Sequence, residues 1–458
     1  MDMQTALIFV LFTVLCASYG WGMRGAVIGG EKGAMLPGAL IGLAFGWFSG
    51  YGILSTAAAG LMGMTFGGIE PYGETIGFVL HRGKDDYNPK RGYIGLAFKG
   101  ALWFAVCGAF LGIALSRGIY SNRDIVIFCL LIPVMQILGQ LIFNRPYNKN
   151  ENKFPKIYFS KTRREEWGGN FLMLIAVVIM AVVKADCFTL MLVAGGLIFG
   201  AIGWLVGMKA FVIALFPMKN GKYFFGKLCK KGVIDGWKLM EFLLGAFGGL
   251  GLALAYLFGY DYIKGYRMIS RVEGIQFVDE LVSKIAPIIC ALCVAGIFVI
   301  NLISFICDKK GKKVNSYLLD FIERPFYNVI PMILVLIGET FSAKFMTAFM
   351  LIFVCAVKCV LDRFEKSKLL PVGQFVSAVV CGLAFVFCFA DYCSPIIIVI
   401  CGIVPYMIAE LVWAVWENKQ KGKNAKYLMN STAFATVYPC FAVMCALIAV
   451  ASIKIFAV

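Results

Sequence analysis

The chain has 458 residues, of which 60% are hydrophobic and only 15% are charged, and its mean hydropathy is +0.83. Because a soluble domain carries about 25% charged residues, this composition excludes an ordinary soluble protein. The formal net charge of +17 is explained by the Lys and Arg excess on the cytoplasmic loops of membrane proteins, so we expect no nucleic-acid partner.

Apolar runs of the length that crosses a bilayer as a helix recur along the whole chain. The sequence therefore predicts an all-α fold, a polytopic bundle of transmembrane helices in a single integral membrane domain, residues 1–458. Hydropathy places about fourteen spans, at 5–22, 34–50, 52–69, 93–115, 125–143, 168–184, 188–215, 236–259, 285–307, 328–338, 345–361, 369–390, 394–415 and 428–457.

Basic residues alternate along the loops and so orient the predicted spans. Loops such as 144–167 and 216–235 are rich in Lys and Arg, and each basic loop is separated from the next by two spans. Such loops lie on the cytoplasmic side of a membrane. The alternation therefore places 23–33 and 81–92 in the cytoplasm and both termini outside it. We expect a multi-pass protein of the inner (cytoplasmic) membrane.

Glycine is concentrated in the first part of the chain, where 39 of the 50 glycines precede residue 251. We divide the chain into a glycine-rich half, 1–259, with most of the intramembrane charges, and a glycine-poor helical half, 260–458. Small residues recur at every fourth position of spans two and three, at Gly38, Gly42, Gly46 and Gly50 and at Ser55, Ala59, Gly63 and Gly67. Such stripes let helix backbones approach closely, so we expect these two spans to pair tightly.

The glycine-rich stretch 19–34 carries three charges, on Arg24, Glu31 and Lys32. Non-helical backbone at membrane depth must be covered by protein or line a watery cavity, which makes this stretch one wall of a candidate polar site. Ionisable groups inside spans are costly and therefore functional candidates. Further candidates, near the predicted cytoplasmic ends of spans, are Glu70, Glu74, Lys99, Lys238 and Glu241.

Local spacing adds two expectations about these candidates. Lys238 and Glu241 are three residues apart on one predicted helix, so they share a face and can pair. Glu70 and Glu74 have a proline and a glycine between them, so we expect both in a turn. Aromatic residues beside the charges, including Trp21 and Trp103, are interpreted mainly as membrane-interface residues.

The main hypothesis is a secondary transporter of a small polar or anionic solute, such as a sugar or an organic acid, coupled to protons or sodium. The predicted substrate-binding residues are Arg24, Glu31, Tyr72, Lys99, Trp237 and Lys238. The predicted ion-coupling residues are Glu31, Glu70, Glu74 and Glu241, because glutamates in a poorly solvated site hold a proton near neutral pH. The competing interpretation is structural: basic side chains reach the headgroups and the acids pair with them.

Enzyme chemistry has little support in the sequence. The one histidine, His81, lies in a basic loop, so neither a multi-histidine metal site nor histidine acid–base catalysis is expected. The Cys290–Cys293 pair lies in a predicted span without a second pair, and residues 29–33 lack the P-loop pattern. We expect no metal, no cofactor and no catalytic residue.

Two alternatives stay open beside the transporter. One is a membrane-embedded enzyme or flippase acting on a lipid-linked substrate, and the other is a channel or a structural subunit of a membrane complex. Membrane lipid, a small solute and a second copy of the chain are the expected partners. The span count resembles that of the multidrug and polysaccharide flippases and the longer major-facilitator carriers in architecture only, so no residue role is carried over.

Overall fold

The computed structural model describes residues 1–24, 30–50, 53–68, 70–148, 150–155, 157–216 and 236–263, with a few single residues between 227 and 311. Within these ranges the protein is all-α and contains no β-strand, as predicted. The spans predicted from residue 285 onward lie outside the described residues, apart from single positions. The number of spans, the position of the termini and the glycine-poor half therefore stay predictions.

Nine α-helices occupy the described ranges: α1 (Met3–Met23), α2 (Gly30–Ser49), α3 (Ile53–Gly68), α4 (Gly73–Leu80), α5 (Pro89–Leu115), α6 (Asn122–Phe143), α7 (Trp167–Val183), α8 (Cys187–Leu215) and α9 (Gly236–Phe258). All but α4 match the first eight predicted spans to within four residues at each end. The turn expected at Glu74 is wrong, because Glu74 lies in the first turn of α4.

Helix α5 begins four residues before the predicted span because its start is well capped. The Asn88 side chain accepts a hydrogen bond from the Arg91 N–H, and Pro89 occupies the first helical position. An asparagine cap satisfies a helix N–H that otherwise has no partner, and proline at the first position has no N–H to satisfy. The helix consequently extends beyond its apolar stretch into the loop region.

Four helices are long and apolar enough to cross a membrane, with candidate segments Met3–Gly22, Pro89–Leu115, Cys187–Leu215 and Gly236–Phe258. Helices α2, α6 and α7 contribute shorter apolar segments. The outer faces of α6 and α7 expose many Leu, Ile and Val side chains, which suits contact with lipid. These are the helices expected of a membrane protein.

Helix α5 lies at the centre of the described bundle and contacts α3, α4, α7, α8 and α9. Close contacts at glycines pair residues in opposite order along α5 and α8, along α8 and α9, and along α1 and α9, so these neighbours are antiparallel. The end of α1, the start of α5, the end of α8 and the start of α9 therefore lie together. We call this the basic end, because the basic loop 144–166 also lies there.

Helices α2 and α3 pair closely, as predicted, through Gly38 and Gly42 of the α2 stripe, but on α3 the contacts are made by Gly60 and Thr56, which are not members of the predicted α3 stripe. A Cβ added to Gly38 would collide with the Gly60 backbone, and one added to Gly42 would collide with the Thr56 backbone. Without side chains at these positions the two backbones meet directly, which is the contact that small residues favour in membranes.

Gly63 and Gly67 of the predicted α3 stripe contact α5. A Cβ on Gly63 would lie 2.8 Å from the Cα of Cys107, and one on Gly67 would lie 2.8 Å from the Cβ of Trp103. Both partners belong to α5. Helix α3 thus packs closely against two helices, against α2 at Gly60 and against α5 at Gly63 and Gly67.

We expect Gly42→Val to weaken the α2–α3 pair and to cost about 1–3 kcal/mol of stability, the usual cost of forcing extra carbons into a packed interior. The midpoint of unfolding in detergent measures this loss. Gly73→Ala is the matched control, since a Cβ at Gly73 meets nothing within 4 Å. Equal midpoints for the two variants would contradict the pairing.

Candidate functional site

Five aromatic side chains form one contiguous group at the basic end, which we call the aromatic cluster: Trp21, Tyr72, Trp103, Trp204 and Trp237. Trp21 and Trp103 are stacked, with ring centroids 5.4 Å apart. The centroid of Tyr72 is 5.8 Å from that of Trp103, 5.2 Å from that of Trp204 and 5.9 Å from that of Trp237. Four helices and the segment before α4 thus contribute to one site.

Two tryptophans of the aromatic cluster differ from their predicted position at the membrane interface. Trp21 and Trp103 are fully buried inside the bundle, so the interpretation of both mainly as membrane-interface residues is wrong. Trp204, which sequence reasoning missed, is also fully buried. It lies in an apolar run without a neighbouring charge, so nothing local distinguished it from an ordinary core residue.

Arg24 follows α1 and lies against the aromatic cluster. Its guanidinium carbon is 4.9 Å from the ring centroid of Trp21, 5.0 Å from that of Tyr72 and 5.8 Å from that of Trp103. The residue is only 4% exposed, and its Nη2 donates a hydrogen bond to the Gly68 carbonyl oxygen at 3.3 Å. Electron-rich ring faces stabilise a cation that has lost its water, so the cluster holds a positive charge inside the protein.

Lys238 and Glu241 form the ion pair that their spacing predicts, with Nζ and Oε2 2.7 Å apart. Glu241 Oε1 accepts hydrogen bonds from the Tyr72 hydroxyl at 2.8 Å and from the Trp237 indole N–H at 3.0 Å. Lys238 Nζ also donates to the Arg24 carbonyl oxygen at 2.9 Å. Helix α9 is thereby tied to both the aromatic cluster and the end of α1.

Hydrogen-bond donors exceed acceptors within the aromatic cluster. The indole N–H groups of Trp21, Trp103 and Trp204 form no well-aligned hydrogen bond with the residues that the structure describes, although the Trp103 indole lies close enough to the Glu70 carboxyl to act on it. A buried donor without a hydrogen bond costs about 1–3 kcal/mol. The cluster therefore combines flat apolar faces, one buried guanidinium and three indole donors that a ligand with oxygen acceptors would satisfy.

Lys99 and Glu165 form a second buried ion pair beside the cluster, with Nζ and Oε1 2.9 Å apart and both side chains 0% exposed. Lys99 Nζ also donates to the Pro71 carbonyl oxygen at 2.5 Å and to Thr75 Oγ1 at 3.1 Å, so all three ammonium protons have acceptors. Lys99 lies ten residues after Pro89, about 15 Å along the helix at 1.5 Å per residue. Its side chain is held inside the protein.

Sequence reasoning missed Glu165, the partner of this lysine. Its Oε1 also accepts a hydrogen bond from Ser160 Oγ, and its Oε2 accepts one from the Phe159 N–H, both at 2.8 Å. An acid in a basic loop is ordinarily a solvated residue. The available signal was its position two residues before the apolar start of α7.

Glu70 lies between α3 and α4 and is only 1% exposed. Its Oε1 accepts a hydrogen bond from Asn170 Nδ2 at 2.9 Å, and the same nitrogen donates to the Phe66 carbonyl oxygen at 2.9 Å. Gln136 Nε2 donates to Asn170 Oδ1 at 2.6 Å. Glu70 Oε2 accepts no hydrogen bond from any residue in the described ranges. Only one of the two carboxyl oxygens of Glu70 thus has a hydrogen bond within the described ranges.

Glu74 faces the basic loop and lies apart from the other predicted glutamates. Its carboxylate accepts hydrogen bonds from the N–H groups of Lys161, Thr162 and Arg163, and from Thr162 Oγ1. Burial raises the pKa of this carboxyl, but the hydrogen bonds from Thr162, Lys161 and Arg163 outweigh it, so the pKa lies below its ordinary value. The ionised form of Glu74 is therefore the form that holds the loop.

We expect Glu74→Gln to speed hydrogen exchange at the amides of Lys161, Thr162 and Arg163. Because the folded pKa is lowered, the same loosening should occur in the unchanged protein as the pH falls through that pKa, and it should be absent above the ordinary pKa of a glutamate. Glu151→Gln is the control, since Glu151 forms an exposed pair with Lys153 in the same loop. Unchanged exchange in Glu74→Gln would contradict this anchoring role.

The structure brings five of the predicted substrate-binding residues to the basic end: Arg24, Tyr72, Trp237 and Lys238 at the aromatic cluster, and Lys99 beside it. Of the predicted coupling residues, Glu241 joins the cluster and Glu70 lies near Lys99. Glu31, predicted for both roles, falls in α2, but its side chain lies outside the described residues.

No group of three or more His, Cys, Asp or Glu side chains in the described ranges is placed to hold a metal ion. No protein-family model, curated protein or solved structure matches this chain.

Proposed function

We propose that the chain is a secondary transporter of a small polar or anionic solute that binds at the aromatic cluster. The observation that carries this proposal is the collection of donors there: the Arg24 guanidinium and the indole N–H groups of Trp21, Trp103 and Trp204. A carboxylate or sugar acid supplies the oxygen acceptors that these donors lack, and charge-assisted hydrogen bonds are the strong ones. The ring faces suit the carbon skeleton of a sugar or an organic acid.

The transporter that we propose is a multi-pass protein of the inner (cytoplasmic) membrane with about fourteen spans and both termini outside the cytoplasm. The long apolar helices support a membrane location. In this arrangement the basic end faces the cytoplasm, so the solute site lies near the cytoplasmic face. Coupling to protons or sodium through the glutamates, contact with membrane lipid and a homo-oligomer belong to the same proposal.

A structural subunit of a membrane complex is the second candidate, and the two ion pairs favour it. Lys99 with Glu165 and Lys238 with Glu241 neutralise each other within the chain, as a purely structural protein requires. The three indole donors argue the other way, because a packed structural core ordinarily satisfies its polar groups. The two candidates therefore differ in whether a small molecule binds.

A stability screen of the purified full-length protein tests the proposal. The panel holds hydroxy acids, hexuronates, sugar phosphates, neutral hexoses and alkylammonium ions, and the readout is the midpoint of thermal unfolding. We expect an anionic or polyhydroxylated compound to raise the midpoint, since binding only the folded state stabilises it. The same compound should accumulate in proteoliposomes under a proton or sodium gradient. No shift and no uptake across the panel would favour the structural subunit.

A further inference from the structure

Glu70, Glu74, Glu165 and Glu241 are four of the glutamates at the basic end, and they differ in how their carboxyl oxygens are hydrogen-bonded. Three of them accept hydrogen bonds on both oxygens: Glu74 from the loop, Glu165 from Lys99, Ser160 and Phe159, and Glu241 from Lys238, Tyr72 and Trp237. Glu70 differs, because its Oε2 has no donor within the described ranges although the residue is 1% exposed.

The surroundings of Glu70 favour a neutral carboxyl. Moving a carboxylate out of water is costly unless its charge is paired and hydrogen-bonded. The charged groups that act on Glu70 are Lys99 on α5 and Glu165 before α7, and they carry opposite signs. Lys99 is already committed to three other acceptors. The remaining polar groups beside the carboxyl, the amide of Asn170 from α7 and the indole N–H of Trp103 from α5, are uncharged.

We infer that Glu70 is a proton-binding site. In the described conformation the Glu70 carboxyl carries one proton and accepts the Asn170 hydrogen bond on Oε1. Loss of that proton to water turns a neutral group into an anion, and no other bond forms or breaks. The use of this site for coupling rests on the proposed transport function, whereas the protonation itself does not.

The position of Glu70 couples its protonation to the Lys99–Glu165 ion pair and to the aromatic cluster. An anionic Glu70 competes with Glu165 for Lys99, because Lys99 attracts the Glu70 carboxylate and is already paired with Glu165. Lys99 also holds the Pro71 carbonyl oxygen, and the next residue is Tyr72 of the aromatic cluster. Proton release therefore acts on the backbone segment 70–72 that carries a ring of the solute site.

Infrared difference spectroscopy of the full-length protein across a pH titration tests the inference, because a protonated carboxyl has a C=O band distinct from that of a carboxylate. We expect the unchanged protein to show such a band at neutral pH, Glu70→Gln to lack it and Glu74→Gln to keep it. Asn170→Leu should shift the band without removing it, since it deletes the hydrogen bond to the carbonyl oxygen. An identical band in Glu70→Gln would overturn the inference.

Stability gives a second readout that needs no spectrum. Glutamine has the shape of a neutral glutamic acid, so Glu70→Gln should unfold at the same midpoint as the unchanged protein, whereas Glu165→Gln should unfold earlier because it deprives Lys99 of its counter-charge. If Glu70→Gln is as destabilised as Glu165→Gln, Glu70 is ionised and the inference fails. Proton binding at Glu70 without solute uptake would refute the transporter alone, and uptake without the band would refute the proton site alone.

Discussion

Lys99→Met lowers the unfolding free energy of this protein by about 3–5 kcal/mol, the usual cost of removing one partner of a buried ion pair. The expectation follows from the geometry of Lys99 and Glu165, which are both 0% exposed and whose charged atoms are 2.9 Å apart. Without the ammonium, Glu165 keeps a buried charge that only Ser160 and the Phe159 N–H stabilise. Chemical unfolding in mixed micelles measures the loss.

A double-mutant cycle separates the ion pair from the packing of the lysine chain. We expect Lys99→Met combined with Glu165→Gln to lose less stability than the two single changes added, with a coupling of about 0.5–3 kcal/mol. Lys209→Met is the matched control on α8, because Lys209 is exposed and lies 5.4 Å from the ring centroid of Tyr93. Additive single changes would show that the pair contributes nothing specific.

Arg24→Met is expected to weaken binding of the solute found in the stability screen by about 10- to 100-fold. A hydrogen bond to a charged group contributes about 1.5–3 kcal/mol, and every 1.4 kcal/mol is about tenfold in affinity. Methionine keeps much of the apolar bulk against the rings of Trp21 and Tyr72, so the fold should survive. The measurement is the solute concentration that gives half of the maximal stabilisation.

Arg82→Met provides the matched comparison for this prediction. Arg82 is also stacked on a ring, with its guanidinium carbon 4.9 Å from the centroid of Phe216, but it is exposed and its ring partner is not a member of the aromatic cluster. We expect unchanged affinity there. If both variants bind the solute as tightly as the unchanged protein, the guanidinium of Arg24 takes no part in recognition.

Hydropathy predicted the described helices well because the bilayer fixes their length and excludes polar runs. The eight matching helices therefore needed no knowledge of tertiary contacts. The one unpredicted helix, α4, is only eight residues long and follows a proline, so its sequence indicated a turn. Its stability comes from contact with α5, which a local pattern does not reveal.

Contacts between residues that are distant in the chain could not be predicted from the sequence. The pair of Lys238 and Glu241 was predictable from helical spacing, whereas Lys99 and Glu165 are 66 residues apart and meet only because the basic loop folds back onto α5. The glycines of α3 showed that close packing was expected, but not that Gly63 and Gly67 would face α5. The convergence of Trp21, Trp103 and Trp204 likewise depends on three helices meeting at one end.

The location of the bound solute decides whether the aromatic cluster is the binding site. We would determine the structure of the full-length protein in a nanodisc with the compound that stabilises it most. We expect solute density beside the Arg24 guanidinium and against the ring of Trp103, with solute oxygens within about 3 Å of indole or guanidinium nitrogens. Solute density elsewhere, with the aromatic cluster unchanged, would contradict it.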